Sequence, residues 1–183
     1  MIKLYKISVD DIEDFSIIDS FPKNIKKRIE DKKNPLSRKQ SIVGYYLLMK
    51  GAKELFGIEN LEVDFTENGK PITNSFFFSI SHSEKLVACA FSDKPIGLDV
   101  QNIRYIAIND HIPFFTDKDI NYIKSCESGQ IDRFFEVFTK KEALVKLYGA
   151  KLTDCNKLST KNISFNFFKE DNYILCIAES IDK

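Results

Sequence analysis

Short runs of strand-forming residues, separated by longer segments with helical spacing, predict a mixed α+β protein. The runs are apolar or alternate between apolar and polar residues, and most of them are bounded by turn residues, a pattern typical of strands. Strands are therefore predicted over residues 1–9, 61–66, 76–80, 86–91, 96–101, 163–168 and 173–178. The last two are joined by a polar turn at residues 170–172, which predicts a hairpin.

Four segments carry helix signals. Residues 23–33 predict a short basic helix, and a longer helix follows Asn34-Pro35 and ends at Phe56, before Gly57. Thr116 is placed as the N-cap of another helix, with Asp119 at the capping-box position. Residues 131–148 form the strongest helical pattern, closed by Gly149.

Each half of the chain thus contributes antiparallel strands and a long helix. This arrangement predicts two similar α+β halves, residues 1–95 and residues 96–183, with a cleft between them. No Pro/Gly-rich linker separates the halves, so we expect them to pack closely.

Charge and composition narrow the possible functions only slightly. The chain has 27 basic residues (lysine and arginine) and 27 acidic residues (aspartate and glutamate). Its net charge therefore gives no overall electrostatic field that would favour binding of nucleic acid. Basic residues crowd residues 23–39, which is typical of a solvated helix face but also suits an anionic ligand. The four cysteines lack CxxC spacing, and no signal peptide or membrane-spanning run is present, so a reduced cytoplasmic protein is expected.

Two segments point to metal chemistry. In the predicted strand 96–101, Asp99 and Gln101 share one face, opposite a wholly apolar face. In the helix 131–148, Glu142 lies on the apolar stripe, where a carboxylate is costly unless a cation or metal accompanies it. Brought together, the three side chains would form an oxygen-rich Mg²⁺ site completed by substrate phosphates.

Four motifs in order resemble the 4′-phosphopantetheinyl transferases of the Sfp type, which are monomers built from two pseudo-symmetric halves. They are Gly69-Lys70-Pro71, Ser79-Ile80-Ser81-His82-Ser83, Gly97-Leu98-Asp99 and Lys141-Glu142-Ala143 with Lys146. The resemblance implies an active site in the cleft between the two halves. It also implies Mg²⁺-dependent transfer of the phosphopantetheine arm of coenzyme A, with Mn²⁺ as an alternative metal. The acceptor is a serine of an apo-acyl or apo-peptidyl carrier protein in fatty acid, polyketide or nonribosomal peptide synthesis, and 3′,5′-ADP is released.

The resemblance also implies roles for residues near the reacting phosphates. Asp99 and Glu142 match the metal-binding acids, and Gln101 stands where many relatives have a third acid. Lys146 matches a lysine near the pyrophosphate. Glu142, directly or through a metal-bound water, would accept the serine proton, and the sequence leaves both choices open.

The remaining assignments concern coenzyme A. Ser81 and His82 match residues that contact its 3′-phosphate, Lys70 matches another lysine on the phosphate side, and Arg28 falls near a basic position that grips the nucleotide. Gln40 and Ser41 occupy the place of a common Arg-Thr pair, so the hydroxyl is kept and the charge is lost.

Plainer interpretations remain for these residues. Glu142 and Lys146 could form an ordinary i,i+4 ion pair, and His82 could be a loop histidine. His111 receives no functional assignment. At the level of the whole protein, the alternatives are an inactive relative that binds coenzyme A or a carrier protein, and a Mg²⁺-dependent pyrophosphate hydrolase.

Overall fold

The computed structural model describes residues 1–108 and 113–181, so His111 lies outside the described residues. The chain divides into two compact units, Met1–Asp93 and Lys94–Lys183, whereas the sequence predicted a boundary after residue 95. We refer to them as unit 1 and unit 2. Each contains a three-stranded antiparallel sheet and one long helix, which confirms the predicted α+β class.

Unit 1 is built around a sheet with the strand order β1-β5-β4. Its helices and strands are β1 Lys3–Ser8, α1 Lys23–Glu30, α2 Pro35–Phe56, β2 Asp64–Phe65, β3 Pro71–Ile72, β4 Phe77–Ser83 and β5 Leu86–Ser92. Short 3₁₀ helices occupy Val9–Asp11 and Phe15–Ser20. The helix α2 packs on β4 and β5 over a core that includes Val43, Leu48 and Phe91.

Local sequence signals fix both ends of α2. The Asn34 side chain accepts a hydrogen bond from the backbone N–H of Ser37, and Pro35 occupies the first turn, where its missing N–H costs nothing. At the other end Gly57 adopts φ +68°, the left-handed conformation that glycine tolerates best. The predicted helix is confirmed at both termini.

The predicted strand at residues 61–66 is corrected by the structure. Only Asp64–Phe65 is a strand, and it pairs with the short strand Pro71–Ile72, which the sequence did not predict. The strand predicted over 76–80 belongs to β4, which pairs with β5. A tight turn explains the difference: Thr66 and Lys70 close it by a 2.9 Å backbone hydrogen bond, and Gly69 within it has φ +81°, so the chain has already turned back by Pro71.

Unit 2 contains a sheet with the strand order β6-β8-β7. Its helices and strands are β6 Ile96–Asn102, α3 Asp117–Lys124, α4 Gln130–Tyr148, β7 Ile163–Glu170 and β8 Tyr173–Ser180, with a 3₁₀ helix at Leu152–Lys157. The helix α4 packs on β6 and β8. The predicted capping box at Thr116 and Asp119, the predicted closure of α4 at Gly149 and the predicted β7–β8 hairpin are all confirmed. No helix among the described residues has the length and apolar character needed to cross a membrane.

The backbones of α4 and β6 approach each other closely at Gly97. A Cβ atom at this position would lie 2.0 Å from the carbonyl oxygen of Ala143 and 2.4 Å from the backbone nitrogen of Leu147. Both are backbone atoms of α4, which cannot move aside as a side chain can. Gly97 therefore allows the helix backbone to rest directly on β6.

Gly97→Ala is expected to lower the free energy of unfolding by about 2 kcal/mol or more, because α4 must separate from β6. Chemical denaturation measures the loss. Gly129→Ala is the matched control: Gly129 has φ +88° and open space around it, so its substitution carries backbone strain without a clash. If Gly97→Ala lowers the free energy of unfolding by no more than Gly129→Ala does, the close contact between α4 and β6 is contradicted.

Candidate active site

The buried carboxylate of Asp99 is the centre of the polar site in unit 2. The residue is 2% exposed and lies on β6, one strand repeat after Gly97 and on the same face. Its Oδ1 accepts a hydrogen bond from the ammonium of Lys146 at 2.7 Å, and its Oδ2 accepts one from Nε2 of Gln101 at 2.8 Å. Both carboxylate oxygens are therefore held by donors.

The positions of these two donors follow from the local geometry. Gln101 follows Asp99 by one strand repeat, so its side chain reaches the neighbouring carboxylate along the same face. Lys146 comes from α4, which lies close enough because Gly97 has no side chain. The Lys146 side chain is 30% exposed, while that of Asp99 is 3% exposed. The ion pair therefore joins a buried anion to a cation at the edge of the solvent.

Glu142 lies one helical turn before Lys146 and is half-buried. Burial raises the pKa of its carboxyl, the negative charge of Asp99 raises it further, and the positive charge of Lys146 partly opposes both effects. The fully buried part of α4 includes Thr139 and Ala143, so Glu142 flanks the core instead of pointing into it as the sequence predicted. The close contact at Gly97 explains this shift, since it turns the Ala143 side of the helix toward the sheet.

This donor set fits a hard divalent cation. The negative charge of Asp99 disfavours the charged form of Glu142, and Mg²⁺ would offset this effect. Mg²⁺ sites commonly use one or two carboxylates together with water and substrate phosphates. Across residues 1–108 and 113–181, no group of three His, Cys, Asp or Glu side chains is arranged to hold a metal. The Gln101 amide oxygen, water and a substrate could supply further ligands.

Two features of α4 were not predicted from the sequence. Lys141, noted only as part of a motif, bonds Asp119 at 2.9 Å and Asn156 at 2.6 Å, so it ties α4 to α3 and to the 3₁₀ helix that follows. Thr139 is completely buried, and its hydroxyl has no hydrogen-bond partner within the described part of the chain. Helical periodicity gives the face of each residue but not its partner, so neither feature had a sequence signal.

Unit 1 contains a cavity of about 530 Å³ bordered by α1, α2, β3 and β4, which we call the α1–β4 cavity. Arg28, Ser41 and His82 line it, so three of the residues assigned to coenzyme A lie around one space. The Arg28 guanidinium stacks 4.0 Å above the Phe65 ring and lies 3.4 Å from the Gly69 carbonyl oxygen. This packing holds one face of the guanidinium against the aromatic ring.

Lys70 lies between two residues that line the α1–β4 cavity, Gly69 and Pro71. Burial lowers the pKa of its ammonium to about 8. An anion bound beside this side chain would restore the charged form, because an opposite charge offsets the cost of removing an ammonium from water.

Ser81, Ser41 and Gln40 differ in their local contacts, although Ser41 and Gln40 both line the α1–β4 cavity. Ser81 is 3% exposed and lies on the opposite face of β4 from His82, so strand alternation separates the two side chains. The Ser41 hydroxyl donates to the Ser37 carbonyl at 2.9 Å. Gln40, which stands where an arginine is common, is buried and donates to the Glu84 carbonyl at 2.7 Å. Its amide therefore supports the turn after His82.

Comparison with known proteins agrees with the motifs. Residues 95–180, nearly all of unit 2, match the family model of the 4′-phosphopantetheinyl transferase superfamily. This segment contains the Asp99 site, and the resemblance indicated by the motifs is confirmed.

Individual relatives are bacterial 4′-phosphopantetheinyl transferases. The gsp protein of Aneurinibacillus migulanus is 33% identical over 114 residues, which cover 60% of this chain and 48% of the relative. The psf-1 protein of Bacillus pumilus is 30% identical over 120 residues, covering 62% and 52%. The Sfp protein of Bacillus subtilis strain 168 is 26% identical over 120 residues, covering 62% and 54%. The matched part of this chain spans about half the length of these relatives.

Removing the Glu142 charge is expected to stabilise the metal-free protein. A carboxyl whose pKa is raised by folding binds protons more tightly in the folded state, so stability falls as pH rises above its ordinary pKa of 4.5. Glu142→Gln abolishes this titration, and its free energy of unfolding should exceed that of the wild type increasingly above that pH.

Urea denaturation in the presence of a chelator, repeated between about pH 4 and pH 8, tests this expectation. The exposed Glu127 provides a matched substitution, Glu127→Gln, on the same unit. If the wild type and Glu142→Gln differ by the same amount at every pH, burial and Asp99 do not perturb this carboxyl.

Proposed function

We propose that this protein transfers the 4′-phosphopantetheine arm of coenzyme A to a serine of an apo-acyl or apo-peptidyl carrier protein in the cytoplasm. One observation carries the proposal: three residues from the sequence motifs lie together in one polar site. Asp99, Glu142 and Lys146 occupy neighbouring positions on β6 and α4. The similarity to transferases of this class supports the same reaction.

Asp99 and Glu142 would hold Mg²⁺, with Gln101 at the edge of the site. Bound there, the ion would neutralise phosphate charge and lower the pKa of a coordinated water. Burial favours this role for Asp99, because a carboxylate withdrawn from water gains most from a cation. The coordinating groups belong to a strand and a helix, which fixes their positions better than loops would.

The proposed reaction forms a bond between the serine oxygen and the phosphorus that carries the pantetheine arm. The bond from that phosphorus to the bridging oxygen breaks, and 3′,5′-ADP leaves with the electron pair. Lys146 would stabilise the charge that develops on the leaving oxygen. The serine proton would pass to Glu142 or to a water beside it.

The α1–β4 cavity would receive the adenosine end of coenzyme A. Arg28 and Lys32 at this cavity, with Lys70 adjacent, supply cations for phosphate groups, and His82 adds a further donor. Ser81 would support this site from the other face of β4 instead of contacting the cavity directly.

An inactive relative that binds coenzyme A is the second candidate. Two observations favour it: Gln101 presents an amide where a third acid is common, and Gln40 is engaged with a backbone carbonyl. Neither residue then adds charge to its site.

Mass spectrometry of apo-acyl and apo-peptidyl carrier proteins, after incubation with coenzyme A and Mg²⁺, tests the proposed reaction. A mass gain of one phosphopantetheine on the carrier is expected. Binding of coenzyme A without a mass gain on either carrier would favour the inactive relative. Release of free phosphopantetheine without any carrier would indicate a hydrolase.

Asp99→Asn and Glu142→Gln should each lower the transfer rate at least about 100-fold at saturating Mg²⁺, because each removes a metal-binding charge. Both substitutions nearly preserve side-chain volume, and circular dichroism checks that the fold is kept. Glu127→Gln should retain full activity. If either site variant keeps more than about 10% of the wild-type activity, the substituted residue is not a metal ligand.

The affinity for coenzyme A should fall as pH rises above about 8, because Lys70 loses its proton there unless an anion is bound. Isothermal titration calorimetry between about pH 7 and pH 10 measures this dependence. Lys70→Arg should flatten it, since a guanidinium stays charged throughout the range.

Dephospho-coenzyme A, which lacks the 3′-phosphate, identifies the phosphate concerned. If Lys70 serves the 3′-phosphate, the affinity for this analogue should show little dependence on pH. An unchanged pH dependence in Lys70→Arg would exclude Lys70 as its source.

A further inference from the structure

A divalent ion that binds Asp99 would compete with the ammonium of Lys146, which already bonds this carboxylate. Lys146 Nζ lies 2.7 Å from Oδ1, and Gln101 Nε2 lies 2.8 Å from Oδ2. A metal ligated by Oδ1 would share that oxygen with an ammonium, which places two cations within a few ångströms of each other. Repulsion between the two cations therefore weakens the binding of a metal to that oxygen while the ammonium stays bonded to it.

We infer that Lys146 is an exchangeable counter-ion: it neutralises Asp99 in the metal-free protein and is released from it when the divalent ion binds. The inference rests on the proposed function, since it takes Asp99 as a metal ligand. It adds that the protein supplies a competitor for its own metal site.

The burial of the two side chains favours this exchange. Asp99 is nearly inaccessible, so its charge needs a partner whether or not a metal is bound. The Lys146 side chain is 30% exposed on the last turn of α4, and its flexible stem allows the ammonium to turn toward solvent or a phosphate. The anion stays fixed while the cation moves.

The exchange links metal binding to substrate binding. While Lys146 bonds Asp99, a divalent ion binds weakly because it must displace the ammonium. A bound pyrophosphate would give the ammonium another anionic partner, so Asp99 becomes available to the metal. By linkage, the metal would favour the pyrophosphate to the same extent. Lys146 is therefore expected to make Mg²⁺ binding dependent on substrate.

Lys146→Met should bind Mg²⁺ about tenfold or more tightly than the wild type in the absence of coenzyme A, because the competing cation is gone. Isothermal titration calorimetry with MgCl₂ alone measures this affinity. Lys146→Arg keeps a cation at Asp99, so its affinity should stay at or below that of the wild type.

Lys140→Met is the matched control because it removes the same charge from the same helix. Lys140 is exposed, stacks 4.5 Å above the Phe165 ring and lies near enough to influence Cys176, the residue opposite Asp99 in the sheet. Its Mg²⁺ affinity should remain within about twofold of the wild type. If Lys140→Met and Lys146→Met gain equally in Mg²⁺ affinity, the gain comes from net charge alone. That result would overturn the exchange.

The exchange can also be tested on the wild type, in which Asp99 keeps the partner that Lys146→Met removes. The ¹⁵Nζ resonance of Lys146, assigned by its loss in Lys146→Arg, should shift on Mg²⁺ titration as the ammonium leaves Asp99. A resonance that does not move at saturating Mg²⁺ would overturn the exchange. Failure of Mg²⁺ to bind the wild type and Lys146→Met alike would overturn the metal site itself.

Discussion

The contact between the backbone of α4 and the strand β6 at Gly97 is the constraint on which the unit 2 site depends. Any side chain at this position would meet backbone atoms of Ala143 and Leu147 in the helix, so glycine sets the distance between helix and sheet. Asp99 follows on the same face of the strand, and Lys146 reaches it because the helix is that close. The packing and the candidate chemistry therefore rest on the same atom-level contact, and a wider separation would leave the Asp99 carboxylate buried without its cation.

The charge balance around Asp99 also explains a departure from the pattern of acids expected at this site. Gln101 donates to Asp99, which a carboxylate at position 101 could not do in its charged form. A third negative charge beside Asp99 and Glu142 would raise the cost of the metal-free state, since the pKa of Glu142 is already raised by burial and by Asp99. The carboxamide lowers this cost, although as a metal ligand it would be weaker than a carboxylate.

The sequence predicted those elements whose signals are local. The cap at Asn34, the left-handed Gly57 and the capping box at Thr116 act within a few residues, and all three were found where the sequence indicated. The short strand at Pro71 was missed because the Gly69 turn gives two residues of pairing, too few to produce a period. The partner of Lys146 was missed for a different reason. It lies 47 residues away in the chain, and periodicity indicates a face without identifying what lies opposite.

The candidate sites of the two units share one physical feature, although their charges are opposite. In unit 1, burial lowers the pKa of Lys70, so the fold holds a cation in an environment that disfavours its charge. In unit 2, burial raises the pKa of Glu142, so the fold holds an anion in an environment that disfavours its charge. A ligand of opposite sign would offset each of these costs, a phosphate in the first case and a divalent cation in the second. Because folding has already placed each group in this environment, a ligand bound at either site would relieve that cost.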